Sequence, residues 1–298
     1  MYESFFGLQE APFTLTPNTH FFLKSETHQQ GLEMLLVALE NKEGFIKISG
    51  EVGTGKTLLC RKLLNSLDES YVTAYIPNPN CSVESLYCIL ADELSTGLKP
   101  EHNASDNSEL PAHSTGEKQV LALQRINHYL IKFAREGKQV VLIIDEAQSM
   151  PEATIEALRL LTNLETESEK LLQVVLFGQP ELDTMLSKKH LRQLQQRITF
   201  QHHIKPLNRE DIEHYISHRM LLAGYNGGRL FEAKAITMLV RASGGIPRLV
   251  NVLCHKALMS AYGQGSKLVQ GKHMKAAIRD TESIKSSIWR RLSWKFAL

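Results

Sequence analysis

The stretch Gly50-Glu51-Val52-Gly53-Thr54-Gly55-Lys56-Thr57 decides the fold of this 298-residue chain. It satisfies the P-loop pattern G-x-x-x-x-G-K-[ST], in which glycines let backbone N–H groups curl around phosphate oxygens. In this pattern Lys56 reaches the β- and γ-phosphates, and the Thr57 hydroxyl ligates Mg²⁺. A strand is predicted over 45–49 and a helix over 58–67, which is the context that the motif requires. The stretch therefore predicts a nucleotide site, with ATP and Mg²⁺ as its ligands.

Strands alternate with helices around this loop. The nearly continuous apolar run 139–144 is typical of a strand buried on both faces of a parallel sheet. Further strands are predicted at 71–76, 172–177 and 198–204, and helices at 26–40, 118–136 and 152–166. After Pro206 the pattern predicts only helices, at 209–222, 232–242, 247–262 and 271–280. We expect a parallel-sheet α/β domain over 1–205, with aromatic, loop-like residues at its start, and a small all-α lid domain over 206–281.

Polar residues follow two of the predicted strands. Asp145 and Glu146 come directly after the apolar run, and Gln179 follows the next strand. Ligands of parallel sheets bind at the carboxyl ends of strands, so Asp145 is expected to hold Mg²⁺ and Glu146 to orient and polarise the attacking water. Gln179 would hydrogen-bond the γ-phosphate or that water. The alternatives are a solvated acidic pair and, for Gln179, an ordinary turn residue.

The bulk composition indicates a folded chain without a distinctive charge. Apolar residues make up 43%, and the net charge of +2 gives no global electrostatic reason to bind nucleic acid. Four cysteines lack metal-ligand spacing and are expected to be reduced, buried thiols, and the His202-His203 pair lacks a third ligand at metal spacing. We see no signal peptide and no apolar run of membrane-spanning length, so we expect a cytoplasmic location. The polar stretch 97–117 is predicted to be a long mobile loop.

The whole set of motifs resembles the AAA+ ATPases. In that resemblance Gly50 to Thr57 is the Walker A motif, Val141 to Glu146 the Walker B motif, and Gln179 the sensor 1 residue. It also implies that Arg197 is an arginine finger and that Arg248, in Gly244-Gly245-Ile246-Pro247-Arg248, is sensor 2; Arg192 is a weaker candidate for the finger. A finger that enters the neighbouring subunit's site implies a ring-like homo-oligomer. A cation there would stabilise charge that develops during phosphoryl transfer.

The match is closer to the ExeA/GspA-type secretion ATPases. The carrying residues are Tyr2-x-x-Phe5-Phe6-Gly7-Leu8, Pro12-Phe13-x-Leu15-Thr16-Pro17, His28, the P-loop, Asp145-Glu146-Ala147-Gln148 and Gly178-Gln179-Pro180-Glu181-Leu182. ExeA-type proteins continue into a transmembrane helix and a peptidoglycan-binding module, which are not expected here. The short form looks like the ATPases of MSHA type IV pilus biogenesis. The resemblance implies a motor or switch that helps to assemble a type IV pilus or type II secretion machine, with partners at the inner membrane.

Two other functions stay open. The first is a DNA-associated AAA+ ATPase of the initiator or transposition-helper kind, although only about 17 residues follow the lid, too few for a winged helix. The second is a scaffold that binds ATP but barely hydrolyses it, which the presence of Glu146 disfavours.

The end of the chain, residues 282–298, has its own pattern. Apolar residues recur every four positions, and Lys285, Arg290, Arg291 and Lys295 lie near Trp289 and Trp294. A basic amphipathic helix with tryptophan suits an anionic membrane surface or a partner groove, and we expect a peripheral contact with the cytoplasmic face of the inner membrane. The alternative is a helix packed on its own lid domain.

Overall fold

A computed structural model describes residues 1–14, 19–21, 23, 25–96, 115–164 and 170–281. Five strands form one sheet in the order β2-β3-β4-β1-β5: β1 (Phe45–Gly50), β2 (Tyr71–Ile76), β3 (Gln139–Ile144), β4 (Leu172–Gly178) and β5 (Ile198–Ile204). Every neighbouring pair is parallel. The predicted α/β fold with a parallel sheet is confirmed.

The helices are α1 (Glu3–Phe6), α2 (Glu26–Glu40), α3 (Lys56–Leu64), α4 (Val83–Thr96), α5 (Thr115–Arg135), α6 (Glu152–Leu161), α7 (Pro180–Leu186), α8 (Arg192–Gln195), α9 (Arg209–Leu222), α10 (Ala233–Ser243), α11 (Pro247–Gly263) and α12 (Gly271–Arg279). The C-terminal part is helical, as predicted. The chain divides into two compact units. Within the described residues, the sheet unit comprises Thr27–Gly50 and Leu59–Ile204, and the helical unit comprises Met1–Glu26, Glu51–Leu58 and the chain from Lys205 to Thr281.

The sheet unit has a core on each face of the sheet. Because side chains alternate along a strand, β3 sends Val140, Leu142 and Ile144 to one core and Val141 and Ile143 to the other. All five side chains are at most 2% exposed. Burial on both faces is the reason that the strand is continuously apolar, and it fixes the position at which the chain leaves the sheet.

The helical unit includes the N-terminal aromatic residues. Tyr2, Phe6, Phe13 and Phe21 are buried in one cluster with residues of α9 to α12. The buried Arg219 holds this segment through a hydrogen bond from its Nε to the carbonyl of Pro12, at 2.6 Å, and lies over the ring of Phe21. The described part of residues 1–26 therefore packs with the helices, whereas the sequence predicted it within the α/β domain over 1–205.

Several elements differ from the sequence prediction. The helix α4 was not predicted, although Leu86, Leu90 and Leu94 recur at helical spacing and are buried. The helix α5 already begins at Thr115, so 115–117 is not loop; the rest of the predicted loop, 97–114, and the tail 282–298 lie outside the described residues. Within the described ranges, no helix combines the length and the apolar character needed to cross a membrane.

Candidate functional site

The loop after β1 has the backbone that its glycines permit. Gly53 has φ +82° and Gly55 has φ +99°, values that residues with a Cβ rarely adopt. The helix α3 begins directly after Gly55, with Lys56 as its first residue. The N–H groups of its first turn point out of the helix end, where the helix dipole favours an anion.

Donors of this loop converge on one carbonyl. The oxygen of Glu51 accepts a hydrogen bond from Lys56 Nζ at 3.0 Å and from Thr54 Oγ1 at 2.8 Å. Lys56 is 5% exposed and Thr54 is 1% exposed. A buried ammonium, two positive-φ glycines and the Thr57 hydroxyl at a helix N-terminus are a donor set that fits a polyphosphate.

The loop also contacts the segment that contains Arg248. The backbone N–H of Arg248 donates to the carbonyl of Gly53 at 3.2 Å. A Cβ on Gly53 would lie 2.7 Å from the Arg248 Cβ and 3.1 Å from the Ile246 Cγ2. Arg248 is the second residue of α11, and its side chain is exposed. The predicted sensor 2 residue is therefore attached by its backbone to the tip of the P-loop, and a glycine is needed at that tip.

The carboxyl ends of three adjacent strands carry the other predicted residues. Asp145 follows β3, Gln179 follows β4, and β1, which lies beside β4, ends at Gly50. Because the strands are parallel, these ends lie at the same edge of the sheet. Asp145 is 3% exposed, and its Oδ1 accepts the backbone N–H of Glu146 at 2.9 Å.

The charge of Asp145 helps to raise the pKa of two neighbouring groups. Burial, and then the Asp145 carboxylate, raise the pKa of the Cys60 thiol to about 12. Burial, followed by Cys60 and Asp145, raises the pKa of Tyr75 to about 12. Both groups are therefore neutral near pH 7, and Cys60 is a reduced, buried thiol as predicted.

Glu146 has an unusual backbone and a bonded carboxylate. Its φ of 52° is in the left-handed region, which costs a residue with a Cβ about 1–2 kcal/mol. Its Oε2 accepts hydrogen bonds from Gln179 Nε2 at 2.9 Å and from Gln148 Nε2 at 2.5 Å. Gln148 Oε1 in turn accepts the backbone N–H of Gln179 at 2.9 Å. The structure thus joins Glu146 to Gln179.

Gln148 is the residue of this network that received no role from the sequence. The signal was present, because Gln148 follows the acidic pair in Asp145-Glu146-Ala147-Gln148. A glutamine two residues after Glu146 in sequence does not reveal that it contacts Gln179, which lies 31 positions further along the chain.

The two candidate finger arginines lie on the surface. Arg197 precedes β5, is exposed, and makes a hydrogen bond of 3.4 Å from Nη1 to Thr162 Oγ1. Arg192 begins α8 and is also exposed. Within the sheet unit, the structure does not bring either arginine into the network of Glu146, Gln148 and Gln179.

The sheet unit contains a polar cleft of about 740 Å³. None of the residues predicted to bind phosphate or metal is among its lining residues. The cleft is lined by Lys47, Asp183, His203 and neighbouring side chains, and Lys47 is paired with Asp183. Among the described residues there is no cluster of three or more His, Cys, Asp or Glu side chains that could hold a metal ion. A magnesium ion does not need such a cluster, because it keeps several waters and uses one or two carboxylates plus substrate phosphates.

Comparisons with known proteins agree with this geometry. Residues 39–186 match the family model described as "AAA domain", a range that includes the P-loop, Asp145, Glu146 and Gln179. The chain is 42% identical over 272 residues to "General secretion pathway protein A" of Aeromonas hydrophila, which covers 91% of this chain and 47% of that protein. The chain therefore spans about half the length of the curated relative that it matches.

Solved structures share the fold at low sequence identity. The ORC2 protein of Aeropyrum pernix, in its ADPNP and ADP complexes, has a TM-score of 0.60 and 16% identity, covering 88% of this chain and 71% of that one. A Walker-type ATPase of Pyrococcus abyssi has a TM-score of 0.55 and 18% identity, covering 93% and 80%. At these identities the likeness establishes the fold alone.

Proposed function

We propose that this chain, which belongs to the AAA ATPases, hydrolyses ATP with Mg²⁺ and uses the reaction to switch or drive a secretion or pilus assembly. The observation that carries the chemistry is the pairing of Asp145 and Glu146 at the carboxyl end of β3, at the sheet edge where β1 leads into the P-loop. Ligands of open parallel sheets bind at that edge.

The P-loop residues bind and orient the nucleotide in this proposal. The Lys56 ammonium exchanges the Glu51 carbonyl, at 3.0 Å, for phosphate oxygens, which are better partners for a cation. Thr57, and in the sheet unit the buried carboxylate of Asp145, are the side chains that would hold Mg²⁺, which would neutralise charge on the phosphates.

Glu146 orients and polarises the water in the proposed reaction. It is half-buried, whereas the Oδ1 of Asp145 already accepts the backbone N–H of Glu146 and Asp145 is the proposed metal ligand. Gln179 Nε2 already donates to Glu146, so it can exchange this carboxylate for a phosphate oxygen when the nucleotide is present. In the same hydrolytic step, Glu146 would then act on the attacking water and Gln179 on a phosphate oxygen.

Substitution of Lys56 tests the nucleotide assignment. Hydrogen bonds to a charged group contribute about 1.5–3 kcal/mol, so Lys56→Ala should weaken ATP binding by about 10- to 100-fold. The exposed Lys132 on α5 provides the matched control, Lys132→Ala, with unchanged affinity. Equal affinity of both variants, measured by fluorescence titration with labelled ATP, would show that the P-loop does not bind the nucleotide.

Arg197 is proposed to act on the site of a neighbouring subunit, and Arg248 on the phosphates in its own subunit. The exposure of Arg197 leaves its guanidinium available to another copy of the chain. In mixing experiments, Arg197→Ala subunits should lower the turnover of wild-type partners, whereas Arg192→Ala subunits should not. Normal hydrolysis by pure Arg197→Ala protein would contradict the assignment of Arg197 as the finger.

The cellular role is proposed from the relative's name and from the resemblance. General secretion pathway protein A is 42% identical over 272 residues. We therefore propose that this chain acts on a type II secretion or MSHA-like type IV pilus machine at the cytoplasmic face of the inner membrane. A Glu146→Gln variant that binds ATP without turnover should trap the assembly. Recovery of secretion or pilus inner-membrane proteins with this variant, and not with Lys56→Ala, supports the proposal; their absence from both contradicts it.

DNA binding is the alternative outcome. The fold is shared with ORC2, but 16% identity does not carry a ligand. The test is whether DNA stimulates hydrolysis and whether the affinity for DNA falls by roughly three orders of magnitude between 50 and 200 mM salt. Both results together would contradict the assembly role and support a DNA-handling one.

A further inference from the structure

We propose that Gln148 is a positioning residue that fixes the carboxylate of Glu146 for the reaction and ties it to the backbone of Gln179. The inference rests on the proposed function, because it assigns to Gln148 a part in the step that Glu146 performs. It is carried by two hydrogen bonds of the Gln148 amide: its Nε2 donates to Glu146 and its Oε1 accepts the backbone N–H of Gln179.

The two contacts define the orientation of the amide. The backbone N–H of Gln179 can only donate, so the Gln148 atom 2.9 Å away must be the oxygen. The nitrogen then faces Glu146 Oε2, at 2.5 Å, and a carboxylate can only accept. A flipped amide would lose both hydrogen bonds. The bridge is therefore specific for a side chain with an acceptor and a donor at this length.

The backbone brings Gln148 to this place. A 3-10 turn at Ala147–Ser149 follows Glu146, whose left-handed φ of 52° turns the chain at the end of β3. The carbonyl of Glu146 accepts the backbone N–H and the Oγ of Ser149, both at 2.8 Å. Ala147, the first residue of the turn, is fully buried. The turn thus holds Gln148 at a fixed distance from the carboxylate that it binds.

Gln148 and Gln179 have different parts in this arrangement. Gln179 contacts Glu146 through a side chain that can leave it for a phosphate oxygen. Gln148 is anchored to a backbone N–H, so its contact with Glu146 does not depend on the nucleotide. Both amides bind Oε2, and within the described residues no protein donor binds Oε1. In the proposal, Oε1 is the oxygen that accepts the proton of the attacking water.

Two variants separate the contacts of Gln148. Gln148→Met keeps the length of the side chain and removes both hydrogen bonds. Gln148→Glu keeps the acceptor for the Gln179 N–H but replaces the donor to Glu146 by an oxygen. Misplacement of a catalytic group by about 1 Å can cost about 100-fold, so we expect both variants to lower kcat by about 10- to 100-fold. ATP affinity should stay within about twofold, because neither contact reaches the P-loop. The exposed Gln124 on α5 gives the matched control, Gln124→Met.

A double-mutant cycle distinguishes positioning from a merely structural role. If Gln148 acts through Glu146, Gln148→Met should cause no further loss in the Glu146→Gln background, measured in single turnovers. A second readout needs no nucleotide: in protein labelled with ¹⁵N-glutamine, the side-chain amide signal of Gln148 should shift in Glu146→Gln and stay unchanged in Lys132→Ala.

The outcomes separate this inference from the proposed function. Strong loss of turnover in Glu146→Gln, with wild-type kcat in both Gln148 variants, overturns the role of Gln148 and leaves the proposed function intact. Additive losses in the cycle, or weakened ATP binding in Gln148→Met, overturn it as well. Wild-type turnover in Glu146→Gln would remove the premise and overturn both.

Discussion

The close approach at the tip of the P-loop makes Gly53→Ala the most informative single substitution. Gly53 has φ +82°, and a Cβ there would lie 2.7 Å from the Arg248 Cβ, a distance that real Cβ atoms essentially never show. The obstacle is the first carbon of a side chain on a helix, so it cannot rotate away. The loop and the start of α11 must therefore separate or distort.

Two separate costs set the expected magnitude. The left-handed conformation costs a residue with a Cβ about 1–2 kcal/mol. Inserting a methyl group into a packed contact costs about 1–3 kcal/mol, so the loss in the free energy of unfolding should be about 2–5 kcal/mol. ATP affinity should fall with it, because the loop cannot keep the shape that cradles phosphate.

Two other glycines of the helical unit separate these costs. Gly7 has φ +72° but open space around its Cβ position, so Gly7→Ala should show the conformational cost alone, about 1–2 kcal/mol. Gly263 lies in α11 with open space and ordinary φ, and Gly263→Ala should stabilise by up to about 1 kcal/mol. Urea unfolding measures all three. If Gly53→Ala lowers the free energy of unfolding no more than Gly7→Ala and binds ATP normally, the P-loop does not pack against Arg248 in the way described.

Three further predictions concern stability and reactivity. Arg219→Met should lower the free energy of unfolding by about 1.5–3 kcal/mol in urea titrations, because the Pro12 carbonyl and the Tyr215 hydroxyl lose a charged hydrogen-bond donor; the same loss from the exposed Arg229→Met would refute this. Burial lowers the pKa of His255, so the unfolded state binds its proton first; stability should fall as pH drops below about 6.5, and His255→Gln should flatten that slope in denaturation series. The pKa of Cys60, about 12, implies slow alkylation by iodoacetamide in the folded protein, and mass spectrometry showing the rate of a free cysteine would contradict it.

The sequence predicted the parts of the fold that depend on local pattern. The strands β3 and β4 and the P-loop were predicted because nearly continuous apolar runs and glycine spacing leave few alternatives. The helix α4 was missed although its leucines are spaced four apart. Short helices such as α7 and α8 have too few turns to show a period.

Contacts between distant residues could not be predicted in the same way. The aromatic N-terminus is apolar enough for either core, and in the helical unit it is bonded at Pro12 by Arg219, more than 200 positions away. The bridge from Gln148 to Gln179 and the backbone contact from Arg248 to Gly53 likewise need the folded chain. The sequence located the chemical groups, and the structure shows which of them are physically connected.

The comparison of ATP binding with ATP turnover in Glu146→Gln tests the central claim most directly. This variant keeps the size of the side chain and removes its ability to accept a proton. General-base catalysis contributes about 10²- to 10⁴-fold, so steady-state hydrolysis should fall by at least about 100-fold. The dissociation constant for ATP should stay within about threefold of wild type. Hydrolysis within tenfold of wild type, at equal ATP affinity, would contradict the account.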